Sequence, residues 1–274
     1  MAGTLHIVGT PIGNLGDLSD RARQTLAEAD LVVAEDTRRT GRLLAGIGVD
    51  APLRSMFDGN ERERTPGIVR DLVAGKRVAL VSDGGMPLVS DPGFRLVRAA
   101  IEAGVDVSVV PGPSAALAAL VVSGLPTDRF AFEGFLPRTT AHRRARLAAV
   151  GDDPRTLVVF EAPRRVVALL RDVERELGDR RVAVCRELTK LHENVERGSV
   201  TEVLQAIGDA PIRGEAVVVI EGAHDPATLD LDAAVDRARE HAVGGERKRD
   251  AARRAASETG VAVNAIYDRL VHGD

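Results

Sequence analysis

Short apolar runs alternate with amphipathic stretches along most of the chain. In the first part, apolar runs at residues 5–8, 31–34, 78–81 and 105–110 each lead into a loop-forming segment and then into helical periodicity. Continuous apolar runs of this length are typical of parallel strands that are buried on both faces. The pattern therefore predicts an α/β domain in which helices cover a parallel sheet.

The second part repeats this rhythm. Strands are predicted near residues 129–133, 156–160, 181–185 and 216–221, and helices near 141–150, 164–177 and 200–207. The close spacing of strands around residues 193–199 favours some antiparallel pairing. The second sheet is therefore expected to be mixed.

Two connections divide the chain into three predicted domains. The stiff bend Pro111-Gly112-Pro113 separates a first α/β domain, residues 1–112, from a second one, residues 113–225. An acid-rich connection at 224–232 then leads to a small helical domain, residues 226–274. Its helices are expected near 231–242, 247–257 and 264–271.

The composition narrows the classes of function. Aromatic residues make up only 3% of the 274 residues, and there is no Trp, so a base-stacking platform of the RRM or OB type is not expected. The net charge of −4 argues against a uniformly basic surface but allows local basic patches. The single cysteine, Cys185, excludes an intrachain disulfide, and the scattered histidines offer no ligand-spaced cluster, so no metal is predicted. Without a signal peptide or an apolar run of about 20 residues, we expect a soluble, cytoplasmic protein with no membrane partner.

Residues 81–93 form the strongest candidate for a ligand loop. The segment follows a predicted buried strand and contains Asp83, Gly84 and Gly85. A carboxylate and a backbone that allows close approach thus lie where open α/β sheets bind small molecules. We interpret Asp91, in contrast, as the N-cap of the next helix.

Three other strand ends carry candidate groups. The first loop, around Pro11, has two glycines but lacks the three-glycine dinucleotide fingerprint. Ser114 is predicted to cap a helix of small residues, beginning with Ala115, that allows close approach by a ligand or a neighbour. Residues 35–39 crowd acids and bases together, either as a helix cap with solvated arginines or as one wall of a substrate cleft.

Two basic clusters stand out from the acidic whole. The first has four arginines and no acid among them: Arg138, Arg143, Arg144 and Arg146. The second lies in residues 246–254, which contain five basic and two acidic side chains. Its bases are Arg247, Lys248, Arg249, Arg253 and Arg254. Most such runs are solvated faces, and binding of RNA phosphates is the alternative.

Eight short motifs, in their order and spacing, together identify a family. They are Val8-Gly-Thr-Pro-Ile-Gly-Asn-Leu15, Ala34-Glu-Asp-Thr-Arg38, Ser82-Asp-Gly-Gly-Met-Pro87, Ser90-Asp-Pro-Gly93, Pro111-Gly-Pro-Ser-Ala115, Phe132-Glu-Gly-Phe-Leu-Pro137, Arg186-Glu-Leu-Thr-Lys190 and Arg213-Gly-Glu215. Over nearly its whole length the chain resembles the ribosomal RNA small subunit methyltransferase I family, a branch of the tetrapyrrole-methylase (class III methyltransferase) superfamily.

The resemblance implies two α/β domains with S-adenosylmethionine (SAM) in the cleft between them, a small helical C-terminal domain and a homodimer. It also implies 2′-O-methylation of a cytidine ribose in the decoding region of 16S rRNA, as free RNA or in the 30S subunit, with no role for DNA. Carried over position by position, the residues that would bind the cofactor are Pro11, Asp83, Gly84, Gly85, Ser114, Ala115 and Ala162.

The chain departs from the family pattern in three places. Residues 57–61 read Phe-Asp-Gly-Asn-Glu where the family usually has His-x-His-Asn-Glu, so no catalytic histidine is assigned there. Gly84 and Met86 replace the usual Ala and Thr, a change expected to alter packing more than chemistry. Ala162 and Arg164 replace the usual Ser and His, which removes a hydroxyl group and a second histidine.

Methylation of a ribose hydroxyl group requires that the hydroxyl proton be lost, which a base or a nearby cation assists. We predict Asp36 or Glu35 as the base or hydroxyl orienter, and Lys190 or Arg38 as the partner of phosphate or oxyanion. Glu187 is a further charged candidate. For each of them a structural salt bridge is the alternative.

Two other functions stay open. A methylase of a small tetrapyrrole would share the fold but has no use for Arg143, Arg144 or the basic tail. A non-catalytic RNA- or nucleotide-binding protein would keep only the scaffold.

Overall fold

The structure, a computed structural model, describes residues 2–208, 214–223, 231–244, 246–259 and 261–272. In these residues the strands are β1 (Thr4–Val8), β2 (Leu31–Ala34), β3 (Leu53–Ser55), β4 (Val78–Val81), β5 (Asp106–Val110), β6 (Phe130–Phe135), β7 (Thr156–Glu161), β8 (Arg181–Arg186), β9 (Asn194–Ser199) and β10 (Ala216–Ile220). The helices are α1 (Asp20–Glu28), α2 (Thr37–Gly46), α3 (Glu61–Val73), α4 (Phe94–Glu102), α5 (Ala115–Ser123), α6 (Thr140–Ala149), α7 (Val166–Leu177), α8 (Val200–Ile207), α9 (Leu231–Val243), α10 (Lys248–Thr259) and α11 (Val263–His272).

The chain divides into two compact units. One comprises Met1–Ala148 and Thr156–Glu221 and holds both sheets; the other comprises Ala149–Arg155 and Gly222–Asp274. The three-domain division given by the sequence stays a prediction. Most of the predicted acid-rich connection, at 224–230, and the motif residue Arg213 lie outside the described residues.

The first sheet is parallel, in the order β3-β2-β4-β1-β5. Alternate residues of its central strands enter separate apolar clusters on its two faces: Leu5 and Leu80 in one, Val8 and Val81 in the other. Burial on both faces explains why these strands read as continuous apolar runs. Because the strands are parallel, the loops after β1, β2, β4 and β5 all leave from the same edge of the sheet.

The second sheet has the order β6-β7-β10-β8-β9. β6 and β7 pair in parallel, whereas β10 is antiparallel to β7 and β8, and β9 is antiparallel to β8. The predicted α/β class and the mixed second sheet are therefore confirmed. The apolar helix α5 packs on this sheet, with Ala119 and Leu120 against Val158 and Val219.

Two elements form where the local sequence pattern does not favour them. β3 has only three residues, all half-buried, and it lacks the apolar run that marks the other strands of its sheet. Helix α3 begins at Glu61, five residues before Pro66. Pro66 lies inside the helix, where it removes one backbone hydrogen bond without ending it.

The helical unit has its own small core. Ala234 and Ala238 of α9 pack against Ala252 and Ala255 of α10, with Ile266 of α11 completing the cluster. Small side chains allow these helices to approach closely. Among the residues that the structure describes, no helix is long and apolar enough to cross a membrane.

Helices α6 and α7 are joined by a buried ion pair. Arg143 Nε donates to Asp172 Oδ2 at 2.7 Å, and Arg144 Nε donates to Asp172 Oδ1 at 2.6 Å. The side chains of Arg143 and Asp172 are only 5% and 3% exposed. The guanidinium of Arg143 therefore lies in the protein interior and is neutralised there, which leaves it no surface from which to bind an RNA phosphate.

We predict that Asp172→Ala lowers the free energy of unfolding by about 3 to 5 kcal/mol, because it leaves the buried Arg143 charge without a partner. Urea denaturation measures the change. The matched control is Glu102→Ala, which removes the carboxylate of the exposed Arg98–Glu102 pair and is expected to cost less than about 0.5 kcal/mol. Equal effects of the two substitutions would contradict a structural role for Asp172.

Candidate active site

The loops that follow β1, β4 and β5 are joined through their backbones. Thr10 N donates to Gly85 O at 2.9 Å, and Gly85 N donates to Thr10 O at 3.0 Å. A Cβ atom on Gly9 would lie 2.6 Å from the Cα of Gly112, so only glycine permits this approach. The three loops thus form one continuous surface at the carboxyl edge of the first sheet.

This surface and the strand ends of the second sheet enclose a cavity of about 550 Å³, a size typical of small-molecule sites. The cavity is lined by every residue that the family resemblance assigns to the cofactor: Pro11, Asp83, Gly84, Gly85, Ser114, Ala115 and Ala162. The structure therefore brings these residues together. Their binding of a cofactor stays a prediction.

Asp83 joins two of the loops around the cavity. Its Oδ1 accepts a hydrogen bond from Asp36 N at 3.1 Å, and its Oδ2 lies 3.3 Å from Arg39 NH1. Asp83 thus holds the loop after β4 against the N-terminus of α2 while its carboxylate borders the cavity.

Glu61 holds the far end of the same loop. Helix α4 has Gly93 as its N-cap, which lacks a side chain, and the buried Glu61 Oε1 accepts hydrogen bonds from Gly93 N at 3.1 Å and Arg95 N at 2.8 Å. Free backbone N–H groups and the positive end of the helix dipole favour a carboxylate there. The interpretation of Asp91 as the N-cap was therefore wrong, because α3 supplies the capping carboxylate.

Asp91 borders the cavity instead. Burial raises the pKa of Asp91 to about 6, and the charges of Asp83 and Asp58 act in the same direction. Leu88 and Ser90, beside it in the loop, have φ angles of 71° and 67°, a left-handed conformation that is costly for residues other than glycine. Such strain is concentrated at functional sites.

The charged candidates of the loop after β2 do not line the cavity. Asp36 is the N-cap of α2, and hydrogen bonds from Arg38 hold the pKa of its carboxyl group well below the usual range. The side chain of Arg38 is 87% exposed. For Glu35, burial raises the pKa, and the charges of Asp83 and Asp91 raise it further.

Lys190 lines the cavity and is held by two carboxylates. Its Nζ lies 3.0 Å from Glu187 Oε1 and 3.2 Å from Glu215 Oε2. Burial opposes the ammonium charge, but these partners outweigh it and raise the pKa of Lys190. Gly13 leaves room for the lysine, since a Cβ there would lie 2.5 Å from Lys190 Cγ.

The candidates for RNA contact differ in their surroundings. Arg144 pairs with Asp172, and Arg146 Nε donates to Glu133 at 2.8 Å, whereas Arg138 is exposed. In the helical unit, Arg253 lies 3.7 Å from Asp250 and Arg254 lies 2.6 Å from Glu246. The three remaining bases there are exposed: Arg247, Lys248 and Arg249.

The cavity residues that sequence reasoning missed include Asp91, Glu161, Phe135 and Phe160. Glu161 is buried; its Oε1 accepts a hydrogen bond from Ala162 N at 2.7 Å, and its Oε2 lies 3.1 Å from Arg165. The last three residues lie at the ends of the parallel pair β6 and β7, a position that itself points to a site. Within the described ranges, no three His, Cys, Asp or Glu side chains are arranged to hold a metal ion.

Comparison with known families and proteins gives consistent matches. The family model of tetrapyrrole (corrin/porphyrin) methylases matches residues 4–204. A protein of Xylella fastidiosa named ribosomal RNA small subunit methyltransferase I is 50% identical over 226 residues, which are 81% of this chain and 83% of the relative. A Mycobacterium tuberculosis protein of the same name is 44% identical over 98% of this chain and 95% of its own. A third, from Thermotoga maritima, is 47% identical over 80% of this chain and 99% of its own.

Solved structures share the fold. The native form of uroporphyrin III C-methyltransferase from Thermus thermophilus superposes with a TM-score of 0.58 at 24% identity, over 80% of this chain and 97% of that one. A second structure of uroporphyrin-III-C-methyltransferase from the same organism gives a TM-score of 0.55 at 23% identity, over 81% and 93% of the two chains. At this level of identity the likeness concerns the fold alone.

We predict that Asp91→Asn stabilises the protein above pH 6. Because the pKa of Asp91 is raised from its ordinary value of 3.8 to about 6, the folded state gains stability from this proton at low pH and loses it as the pH rises from about 4 to 6. Asparagine does not titrate, so above pH 6 the variant should be more stable by about 1 kcal/mol, a figure reduced for the half-exposed position.

Thermal or urea unfolding at pH 4, 5, 6 and 7.5 measures this difference. The exposed Asp106→Asn is the control, and its stability should follow that of the wild type at each pH. A constant difference between Asp91→Asn and wild type across the series would contradict titration of Asp91 as its cause.

Proposed function

The chain belongs to the tetrapyrrole methylase family and, within it, to the ribosomal RNA small subunit methyltransferase I proteins, and from this premise we propose that it transfers the methyl group of SAM to a cytidine 2′-oxygen in the decoding region of 16S rRNA. The observation that carries the proposal is the cavity of about 550 Å³ with its lining of glycine loops and carboxylates. The substrate is the RNA itself or the 30S subunit, and the protein acts in the cytoplasm as a homodimer.

The cavity suits the methyl donor in charge and shape. A sulfonium cation is stabilised by carboxylates, and Asp83 and Asp91 supply them from one wall. Apolar side chains such as Ile12 and Phe160 offer surfaces for a purine ring. Gly84 leaves space beside Pro11, because a Cβ there would lie 3.2 Å from Pro11 O.

SAM, when bound, supplies an electrophilic methyl group on a positively charged sulfur. The joined loops hold the two reactants in line, and such positioning contributes about 7 to 11 kcal/mol in well-oriented cases. Lys190, whose raised pKa keeps it an ammonium ion, stabilises the ribose oxygen as its proton leaves. Of the two predicted bases, neither of which lines the cavity, Glu35 has a raised pKa and Asp36 a lowered one, so Glu35 is the stronger proton acceptor of the pair.

Labelled SAM tests the substrate directly. The wild-type protein is incubated with 30S subunits, with free 16S rRNA and, as the alternative acceptor, with a porphyrinogen. Label at one cytidine 2′-oxygen of 16S rRNA supports the proposal. Label in the porphyrinogen alone would establish a small-molecule methylase, and no label in any acceptor would favour a binding protein.

The helical unit is proposed as an accessory RNA-binding part. About a fifth of this chain has no counterpart in the Thermotoga maritima relative, although the match covers 99% of that protein. The family model, which matches residues 4–204, also ends before the helices of this unit. The exposed bases Arg247, Lys248 and Arg249 suit a contact with RNA phosphates.

We predict that Ala162→Leu lowers SAM affinity at least tenfold, because the larger side chain fills part of the cavity that Ala162 borders. Isothermal titration calorimetry measures the affinity. Ala162→Ser, which restores the residue usual in the family, is the matched control and should bind SAM like the wild type. Unchanged affinity of the leucine variant would remove this part of the cavity from the cofactor site.

We predict that replacing Arg247, Lys248 and Arg249 together by alanine weakens RNA binding and leaves SAM affinity unchanged. The slope of log K against log salt concentration should become shallower by roughly 2, since each phosphate contact contributes about 0.7 for single-stranded RNA. Filter binding at several salt concentrations measures the slope. An unchanged slope would show that these side chains are only solvated.

A further inference from the structure

An exposed aromatic ring lies at the second-sheet side of the cavity. β6 and β7 pair in parallel with Phe135 opposite Phe160, so the segments that follow both strands leave from the same edge. Phe135 borders the cavity and yet is 62% exposed. Its ring centroid lies 5.6 Å from that of Phe160, which supports the ring from one side.

Two arginines lie in the segments that follow this pair of strands. Arg138 follows Phe135 by three residues, and Arg164 adjoins Pro163 of the cavity wall. Both side chains are exposed, and neither forms an ion pair with any residue that the structure describes. In this they differ from Arg143, Arg144 and Arg146, whose charges are neutralised by carboxylates.

The segments that carry the two arginines are held together by Arg165. Its NH2 group lies 3.4 Å from Leu136 O and 3.3 Å from Pro137 O, to which it donates, and 3.1 Å from Glu161 Oε2. The segments after β6 and β7 thus form one fixed rim. Arg138 and Arg164 project from a supported backbone and not from independent loops.

Both walls of the cavity carry carboxylates, but those of the second-sheet wall, Glu161 and Glu215, are paired with Arg165 and Lys190. The first-sheet wall carries Asp83 and Asp91, with Glu35 and Asp58 close enough to shift the pKa values of this group. A polyanion is repelled from that wall. The second-sheet rim, with two unpaired guanidinium groups, is where a phosphate backbone is attracted.

We propose that Phe135, Arg138 and Arg164 form a subsite for the RNA strand beside the acceptor nucleotide. The ring of Phe135 stacks on the base of a neighbouring nucleotide, and the two arginines bind the phosphates that flank it. The subsite rests on the proposed function, because it presupposes an RNA substrate. Arg164 adds a permanent charge at a position where the family usually has histidine.

Direct RNA binding tests the subsite. A fluorescent oligonucleotide of the 16S decoding region is titrated with protein in the absence of SAM, and SAM affinity is measured separately by calorimetry. Phe135→Ala should weaken RNA binding about tenfold, and Phe135→Trp should restore it, because stacking needs an aromatic face. Arg138→Ala with Arg164→Ala should reduce the salt slope by roughly 1.4.

The controls match these variants in exposure. Phe94 is 66% exposed on α4 and does not border the cavity, and Arg21 is exposed on α1. Phe94→Ala and Arg21→Ala should leave RNA affinity and salt slope unchanged. The unfolding of every variant is measured as well. It should match that of the wild type, because the replaced side chains are exposed.

Several results would overturn the subsite. Unchanged RNA affinity in Phe135→Ala would do so, as would loss of SAM affinity in that variant, which would assign the ring to the cofactor. Conversion of a dimer to a monomer by Phe135→Ala would assign the ring to a subunit interface. If the wild-type protein binds and methylates 16S rRNA and the variants do so equally well, only the subsite is wrong. If the wild-type protein neither binds nor methylates 16S rRNA, the proposed function is wrong as well.

Discussion

The site depends on the close backbone contact between the loops that follow β1, β4 and β5. Two hydrogen bonds between Thr10 and Gly85 and the approach of Gly9 to Gly112 fix three separate chain segments at one edge of a sheet. Contacts of this kind need residues without a Cβ, and they explain why glycine recurs at these strand ends. Because the loops are fixed to one another, the carboxylates they carry have defined positions before any ligand binds.

The same arrangement concentrates negative charge on one side of the cavity. Burial is the main cause of the raised pKa values of Asp91 and Glu35, and the neighbouring carboxylates raise them further by repulsion. A protein that stores such repulsion gives up some stability in the absence of a cation. In the proposed function, a sulfonium ion would relieve this repulsion, and the cost of bringing the carboxylates together would then contribute to affinity for the methyl donor.

The sequence predicted the parts of this structure that depend on local pattern. Continuous apolar runs identified the buried strands, and the order of the motifs identified the family, which the comparisons confirm. What the sequence did not reveal depends on distant partners. Asp91 does not cap helix α4, because Glu61, thirty residues earlier, supplies the capping carboxylate. Arg143 is not available at the surface, because it is buried and paired with Asp172 on another helix. A run of basic residues therefore predicts RNA binding only if the fold does not pair those residues with acidic ones.

The departures from the family pattern remove histidines that could take part in the chemistry, but they keep the contacts that hold the loops in place. Glu61 is retained while the usual histidines before it are absent, and it is Glu61 that holds α4 and the end of the loop with Asp91. Met86, in place of the usual threonine, fills the space beside Gly9 and accepts a hydrogen bond from Gly112 N at 3.3 Å. The framework of the site thus survives both changes. In the proposed reaction a carboxylate therefore accepts the proton and Lys190 stabilises the oxygen that loses it, because the segment at 57–61 supplies no imidazole.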